Sequence, residues 1–528
     1  MNVTFITPAP DIKRNALYRL GGHLYGHSNP ITGPLVLGGI LRKAGHRVEV
    51  YEELNGRVSY DRLLRETDVL CLYAMTTTFP RACDIARMFR EKGHARILMG
   101  GIYPSASPEE ALPHVDQVVV GEAESVILDV VEGRITDPIV HAEPICDLDT
   151  IPFPDYSVLK TPVSCANVIT SRGCPFRCTF CTTSRMFAPY RRRSVDRVIA
   201  ELRMLHERGF QYMNFEDDNF TADKDRAKEI CRRIIAENLQ FEDTFFFGRT
   251  DMANDPELLD LLAAAHLNWV LIGIESLNQA ALDDINKGQS IADIERAGIA
   301  CRDHGIRVIA SVVLGIDEDS PEDIKRSVDF AKSIDAYQIQ PAVLTPFPGT
   351  PVYDEFVKEG RMITKDWGLF DMTNVTFQPR RMSPWTLQEC FFDACNNFYD
   401  LPSSFRIWHL FGPEYGLRRI WLAFGTSAGV PIARFAADHF PDTPYYKLKR
   451  IPWKYAKDEI AKVPAPEPTP EAAALPFEAI EKRRDLDEDS RRRITVAVAG
   501  VGAVALAMAR RPTVRASIRR HSAMAALV

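Results

Sequence analysis

Three cysteines share one short stretch, Cys174-Pro-Phe-Arg-Cys178-Thr-Phe-Cys181, directly after Arg172-Gly173. Thiolates bunched in this way can hold three corners of a cubane 4Fe-4S cluster, whereas an ordinary electron-transfer cluster takes a fourth cysteine. No fourth cysteine lies nearby, so one iron would stay open to a small molecule. Structural zinc sites instead pair two C-x2-C units or add histidines at fixed spacing, and neither follows here. Cys165, Cys231, Cys301, Cys390 and Cys395 lack ligand spacing and read as core residues. Cys390 and Cys395 share one expected helix, Leu387 to Tyr399, which leaves a redox or radical role for a C-terminal thiol as an alternative.

A cluster loop needs a strand to place it. From about Val163 to Pro384 apolar strand-like runs alternate with helical periodicity, and Ala166 to Thr170 leads straight into the cysteines. Strand ends of this kind are where α/β barrels carry their chemistry. Further runs end in groups that could hold a charged ligand: Gln211 to Phe215 before Glu216-Asp217-Asp218-Asn219, and Phe245 to Phe247 before Gly248-Arg249. Val270 to Ile274 ends at Glu275-Ser276, Val308 to Leu314 at Gly315, and Gln338 to Leu344 at Thr345-Pro-Phe-Pro-Gly-Thr-Pro351. Taken singly each is weak, since an Asp-Asp pair is often a helix cap and Arg249 could be a surface ion pair.

The N-terminal third repeats the alternation. Val3 to Thr7, Arg47 to Tyr51, Val69 to Tyr73, Arg96 to Met99 and Gln117 to Val120 read as strands, with helices from Leu35 to Ala44 and from Thr78 through Glu91. Such a pattern predicts a doubly wound parallel sheet, which binds ligands beyond the carboxyl ends of its strands. Thr76-Thr77-Thr78, Gly100-Gly101 and Gly121-Glu122 fall there. Glycines let backbone approach a large flat ligand, and threonines can donate hydrogen bonds to it.

The cysteine spacing, with Phe180 before the last Cys, resembles the radical S-adenosylmethionine (SAM) superfamily. The order Gly-Gly-x-x-Pro-Ser105, Pro108-Glu-Glu-Ala111, Val-Val-Gly121-Glu122-x-Glu resembles the cobalamin-binding domain that precedes many of its members. Over residues 1 to 400 the chain is most similar to the class B methyltransferases and to the branch that includes the anaerobic Mg-protoporphyrin ester cyclase and hopanoid-modifying enzymes. The resemblance implies an α/β fold: an N-terminal doubly wound sheet (1–140), a linker (141–162), a partial (β/α)6 radical SAM barrel (163–385) and a mostly helical C-terminal region (386–460). It implies that Cys174, Cys178 and Cys181 bind the cluster. Phe180, Asp217, Asp218, Asn219, Arg249, Glu275 and Gly315 would contact SAM, with Asp218-Asn219 alternatively shaping the substrate pocket. Thr76, Thr77, Gly100, Gly101, Ser105, Gly121 and Glu122 would contact cobalamin. There is no D-x-H-x-x-G run, so cobalamin would bind without a histidine below the cobalt, and His23, His27 and His46 read as surface or packing residues. The alternative is that the domain has lost cobalamin.

The activity implied is methylation of an unactivated carbon of an apolar or natural-product substrate. Oxidative cyclisation or carbon–carbon coupling on a lipid or tetrapyrrole is the rival, and a non-catalytic cobalamin or iron–sulfur sensor the third reading. A flavodoxin- or ferredoxin-type electron donor is implied, and no catalytic side chain is assigned. With 46% hydrophobic and 26% charged residues and a net charge of −7 the chain is an ordinary globular protein, not a generally basic nucleic-acid binder. An iron–sulfur motif and an N-terminus without a signal-like stretch lead to the expectation of a cytoplasmic location. Residues 405–437, rich in aromatics and arginine, could cap the site, lie on a bilayer or form a helical subdomain. Residues 461–490 read as a disordered linker. The tail 491–528, with eight arginines, no acidic residue and an apolar stretch from Ile494 to Ala509 too short to span, suits peripheral membrane contact or has no role.

Overall fold

A computed structural model describes residues 1–10 and 28–455 of the chain. Its first sheet has six strands: β1 (Asn2–Thr7), β2 (Arg47–Glu52), β3 (Val69–Tyr73), β4 (Arg96–Gly100), β5 (Gln117–Gly121) and β6 (Ile139–Ala142). They run in the order β2-β1-β3-β4-β5-β6, every pair parallel. Strands buried on both faces must be apolar on both. In β3, Val69 and Cys71 join one core with Leu35 and Leu41 of the helix Thr32–Lys43, while Leu70 and Leu72 face Ala82, Ile85 and Phe89 of the helix Phe79–Lys92. Strand order reverses between β1 and β3, which opens a crevice at their carboxyl ends. The sixth strand has no counterpart in the sequence reading. It is a four-residue edge with one buried residue, too short to show alternation.

The second sheet is also parallel and six-stranded: β7 (Cys165–Val168), β10 (Tyr212–Phe215), β11 (Asp243–Gly248), β12 (Trp269–Glu275), β13 (Arg307–Leu314) and β14 (Gln338–Val343), lying side by side in chain order. Between β7 and β10 a small antiparallel ladder, β8 (Ser171–Arg172) with β9 (Arg191–Arg192), frames the cysteine loop. A helix follows each strand from β10 to β13, and the caps are local. Ser290 with Asp293, and Ser320 with Asp323, form reciprocal capping boxes at the helices Ile291–Asp303 and Pro321–Ser333. The result is a partial barrel whose carboxyl ends carry the residues expected to do chemistry.

Helices Pro384–Phe398, Leu401–Phe411, Pro413–His439 and Pro444–Lys449 complete the described chain. The aromatic and basic stretch thus forms a helical subdomain. Its anchor is Arg419, 1% exposed, which donates to the carbonyls of Ala336 and Tyr337, both at 2.5 Å, and to Ser403 Oγ at 3.1 Å, and lies over the Phe398 ring. Cys390 and Cys395 share the first of these helices, where burial pushes their thiols up to about 11 and about 12. No helix among the described residues is long and apolar enough to cross a membrane. The segments 461–490 and 491–528, with His23 and His27, lie outside the described residues. Removing Arg419 leaves barrel carbonyls without donors, each costing 1–3 kcal/mol. Arg419→Met is therefore expected to destabilise the protein by about 3 kcal/mol, read as a lower denaturation midpoint; an unchanged midpoint would show that other contacts hold the subdomain.

Candidate functional site: the carboxyl ends of two parallel sheets

The cysteine loop begins at Gly173, whose φ of +78° only glycine adopts without strain and where a Cβ would collide with the Phe187 carbonyl. Its far side is tied to residues 285–286: Thr179 N–H donates to Ile285 O at 3.1 Å, and Asn286 Nδ2 to Arg177 O at 3.0 Å. Burial, with Asp218 and the other two thiols nearby, pushes Cys174 up to about 11. Burial also raises Cys178, against the opposing charges of Lys287 and Arg249. Burial thus favours the protonated form of Cys174 and Cys178, whose protons iron would displace. Among the described residues no three His, Cys, Asp or Glu side chains converge on a single-ion site; a cubane places each cysteine on a different iron. Three thiols on one loop, with Cys165, Cys231 and Cys301 sealed in the core, fit that donor set.

Around the loop stand the expected SAM residues. Asp217 is buried and spent on structure: it accepts from Thr170 N–H at 2.5 Å, Ser171 Oγ at 2.7 Å and Thr170 Oγ1. Asp218 points to the cysteine loop, accepting from Thr183 and the Gly173 backbone, and burial raises it to about 6. Asn219 caps its own turn through Thr221 and leaves its Nδ2 buried without a partner. Arg249, 8% exposed, lies 3.6 Å over the ring of Phe176 in the cysteine loop, and its Nε is unpartnered. Glu275 sits in left-handed backbone, φ +60°, at a register shift in β12, with Oε1 on Lys287 and Oε2 buried and unpartnered. Strain of this kind in a residue other than glycine collects at ligand sites. The orphan atoms of Arg249 and Glu275 are what a zwitterionic nucleoside ligand such as SAM would satisfy. Phe180 packs against the barrel core, and a Cβ on Gly315 would meet Leu387 Cδ2 at 2.5 Å, so the helix Pro384–Phe398 covers that glycine.

On the first sheet, Thr76, Thr77, Gly100, Gly101, Ser105 and Gly121 line the adjoining ends of β3, β4 and β5, where Ser105 Oγ accepts from Gly121 N–H at 3.0 Å. At Gly101, φ +108°, a Cβ would stand only 2.7 Å from Ala74 O, so the chain turns there at the end of β4 only with glycine. On the same edge Thr7 Oγ1 is buried and unpartnered, which suits a polar ligand there. The Glu122 side chain is engaged with its neighbours. Its carboxylate joins Arg172 and Arg191 and accepts from Ile145 N–H at 3.1 Å, while Arg172 also pairs with Glu124. Burial opposes ionisation of Glu122, yet Arg191 and Arg172 hold it below the ordinary carboxylate range. His46 pairs with Glu132 at 3.2 Å.

A second seam between the sheets was not legible in the sequence. Asn167 Nδ2 donates to Pro30 O and to Glu216 Oε1, each at 2.6 Å; Glu52 accepts from Ile31 N–H at 2.6 Å, and Thr32 Oγ1 lies 3.4 Å from Glu216. Burial raises both carboxyls to about 7, and the charge of Glu52 adds to the rise at Glu216.

Comparison with known proteins places this geometry. The model of the Radical SAM superfamily matches residues 168–331 and that of the B12 binding domain residues 25–131. The chain is 25% identical to bacteriochlorophyllide d C-8(2)-methyltransferase of Chlorobaculum tepidum, over 65% of this chain and 80% of that one. It is 26% identical to the anaerobic magnesium-protoporphyrin IX monomethyl ester cyclase of Synechocystis sp., over 70% of this chain and 81% of that one. Among solved structures, the cobalamin-dependent SAM radical enzyme OxsB with aqua-cobalamin bound superposes with a TM-score of 0.63 at 14% identity, covering 98% of this chain and 83% of that one, which shows a shared fold. The chain thus joins a B12-binding domain to a radical SAM domain. Its cofactors are accordingly a 4Fe-4S cluster, SAM and cobalamin, and its substrate is a small molecule.

The carboxyls raised to about 7 carry a prediction. Glu52 binds its proton more tightly folded than unfolded, so between about 4.5 and about 7 stability falls as pH rises and levels off above that. Its share is roughly 3 kcal/mol. Glu52→Gln should flatten part of the decline in thermal midpoint between about pH 5 and about pH 8; an unchanged profile would mean that Glu52 is ionised throughout.

Proposed function

We propose that this protein is a cobalamin-dependent radical SAM methyltransferase that places a methyl group on an unactivated carbon of an apolar or natural-product small molecule. The observation that carries it is the joining of the two sheets at their carboxyl ends, with Arg172, two residues before Cys174, bonded to Glu122 and Glu124 at the end of β5. When bound, the reduced cluster supplies the electron that cleaves SAM to start radical chemistry, and cobalamin supplies the methyl carrier.

The chain's own residues do the rest. Cys174, Cys178 and Cys181 would hold three irons, leaving the fourth for SAM. Asp218, raised to about 6, is ionised at neutral pH and can take the SAM ammonium beside the cluster. Arg249 presents a guanidinium suited to the SAM carboxylate, and Glu275 Oε2 an acceptor for a hydroxyl or ammonium of the nucleoside. Asn219, with its free Nδ2, follows Asp218 directly in the chain. Thr76, Thr77, Gly100, Gly101, Ser105 and Gly121 would support cobalamin across the crevice. Exposed Arg177, Arg185 and Arg192 near the cysteine loop favour an acidic electron donor of flavodoxin or ferredoxin type.

Similarity to the ester cyclase, at 26% identity, favours oxidative cyclisation as the second reading. Anaerobic reconstitution with iron, sulfide and hydroxocobalamin, followed by product analysis under strong reductant, separates the two. Methylation predicts bound cobalamin and, with the true substrate, both S-adenosylhomocysteine and 5′-deoxyadenosine. Cyclisation predicts 5′-deoxyadenosine without methyl transfer, and S-adenosylhomocysteine alone would defeat both. Cys178→Ala should lose cluster iron and all SAM cleavage while retaining cobalamin.

A further inference from the structure

Residues 285–289 touch three of the elements that reach the expected SAM site: the cysteine loop and the ends of β11 and β12. Beyond the bonds from Thr179 and Asn286 to the cysteine loop, the carbonyls of Lys287 and Gly288 accept from Arg249 Nη2 at 2.7 and 3.2 Å. Gln289 donates through Nε2 to Gly273 O at 2.8 Å and accepts from Thr250 Oγ1 at 3.2 Å. The charged member is Lys287, 7% exposed, whose Nζ donates to Glu275 Oε1 and whose charge also reaches Cys178. The pair lies across the backbone of β12 at Gly273, where a Cβ would overlap both Glu275 Oε1 and Lys287 Nζ. A glycine inside a strand marks just such a close approach.

We infer that Lys287 is a positioning residue for the SAM site: its ammonium fixes Glu275 so that Oε2 is left as the acceptor for the ligand, and it adds positive charge beside the Cys178 corner of the cluster. The inference rests on the reading of residues 174–181 as the cluster loop. One cation here does two things. Held to Oε1, it stops the Glu275 carboxylate from rotating toward solvent. In a poorly solvated site it also stabilises the added electron, since charge interactions are screened less there than in water. Serving only the fold is a weaker account, because buried ion pairs add little stability over apolar packing.

The test uses the full chain reconstituted anaerobically, with bound iron and thermal midpoint as checks on assembly. Three properties are read: SAM affinity by equilibrium dialysis, the change in the reduced cluster's electron paramagnetic resonance spectrum on adding SAM, and the cluster midpoint potential. Lys287→Met is expected to keep its iron, to weaken SAM binding roughly 10- to 100-fold and to shift the potential to more negative values; Lys287→Arg should recover most of both. Gly273→Ala displaces the ammonium without removing its charge, so SAM binding should weaken while the potential stays near that of the unaltered protein. The inference is overturned if Lys287→Met matches the unaltered protein in affinity and potential, or, should that variant not assemble, if Gly273→Ala binds SAM normally. If the unaltered protein itself shows no spectral response to SAM, the cluster reading fails and this inference falls with it.

Discussion

The geometry of this protein depends on one buried carboxylate. Glu122 ends β5 of the first sheet, its side chain 3% exposed between the guanidinium groups of Arg172 and Arg191. Burying a charge is costly unless it is paired and hydrogen-bonded, and removing one partner strands the others. The three groups must therefore meet or the fold must open. Arg172 and Arg191 lie on β8 and β9, the ladder that frames the cysteine loop, so their pairing with Glu122 sets where that loop stands relative to the first sheet. A residue that reads in the sequence as part of a ligand edge thus also fastens the first sheet to the cysteine loop.

Much of this was legible because strand ends and cysteine spacing are local signals. Eleven of the twelve strands in the two sheets follow the apolar runs within a residue or two, and the helix through Leu387 begins at Pro384. What stayed hidden is what depends on pairs far apart in the chain. Glu275 and Lys287 are joined only because Gly273 leaves room for them. Arg419 looks like one more basic residue in an aromatic run until β14 brings the carbonyls of Ala336 and Tyr337 beneath it. Asp217 and Asp218 are neighbours of one type, yet beyond the end of β10 one turns to Thr170 and Ser171 and the other toward the cysteines.

That divergence continues along the barrel mouth. Glu216, Asp217 and Asp218 follow one another, and Glu52 joins them from the first sheet. Glu216 and Glu52 are raised to about 7 by burial and have only neutral donors as hydrogen-bond partners, so near neutral pH much of the seam carries no charge. Asp218, raised only to about 6, keeps its charge under the same conditions, and it lies against the cysteine loop. Of Glu52, Glu216 and Asp218, the carboxyl that keeps its charge is thus the one at the cluster side of the mouth.

The distribution has a chemical consequence. A cationic ligand entering the mouth is drawn to the carboxylate nearest the cysteines, while the seam offers no comparable charge to compete for it. How strongly each carboxyl competes for a cation then follows from how far it lies from water, which is a property of the packing between the two sheets.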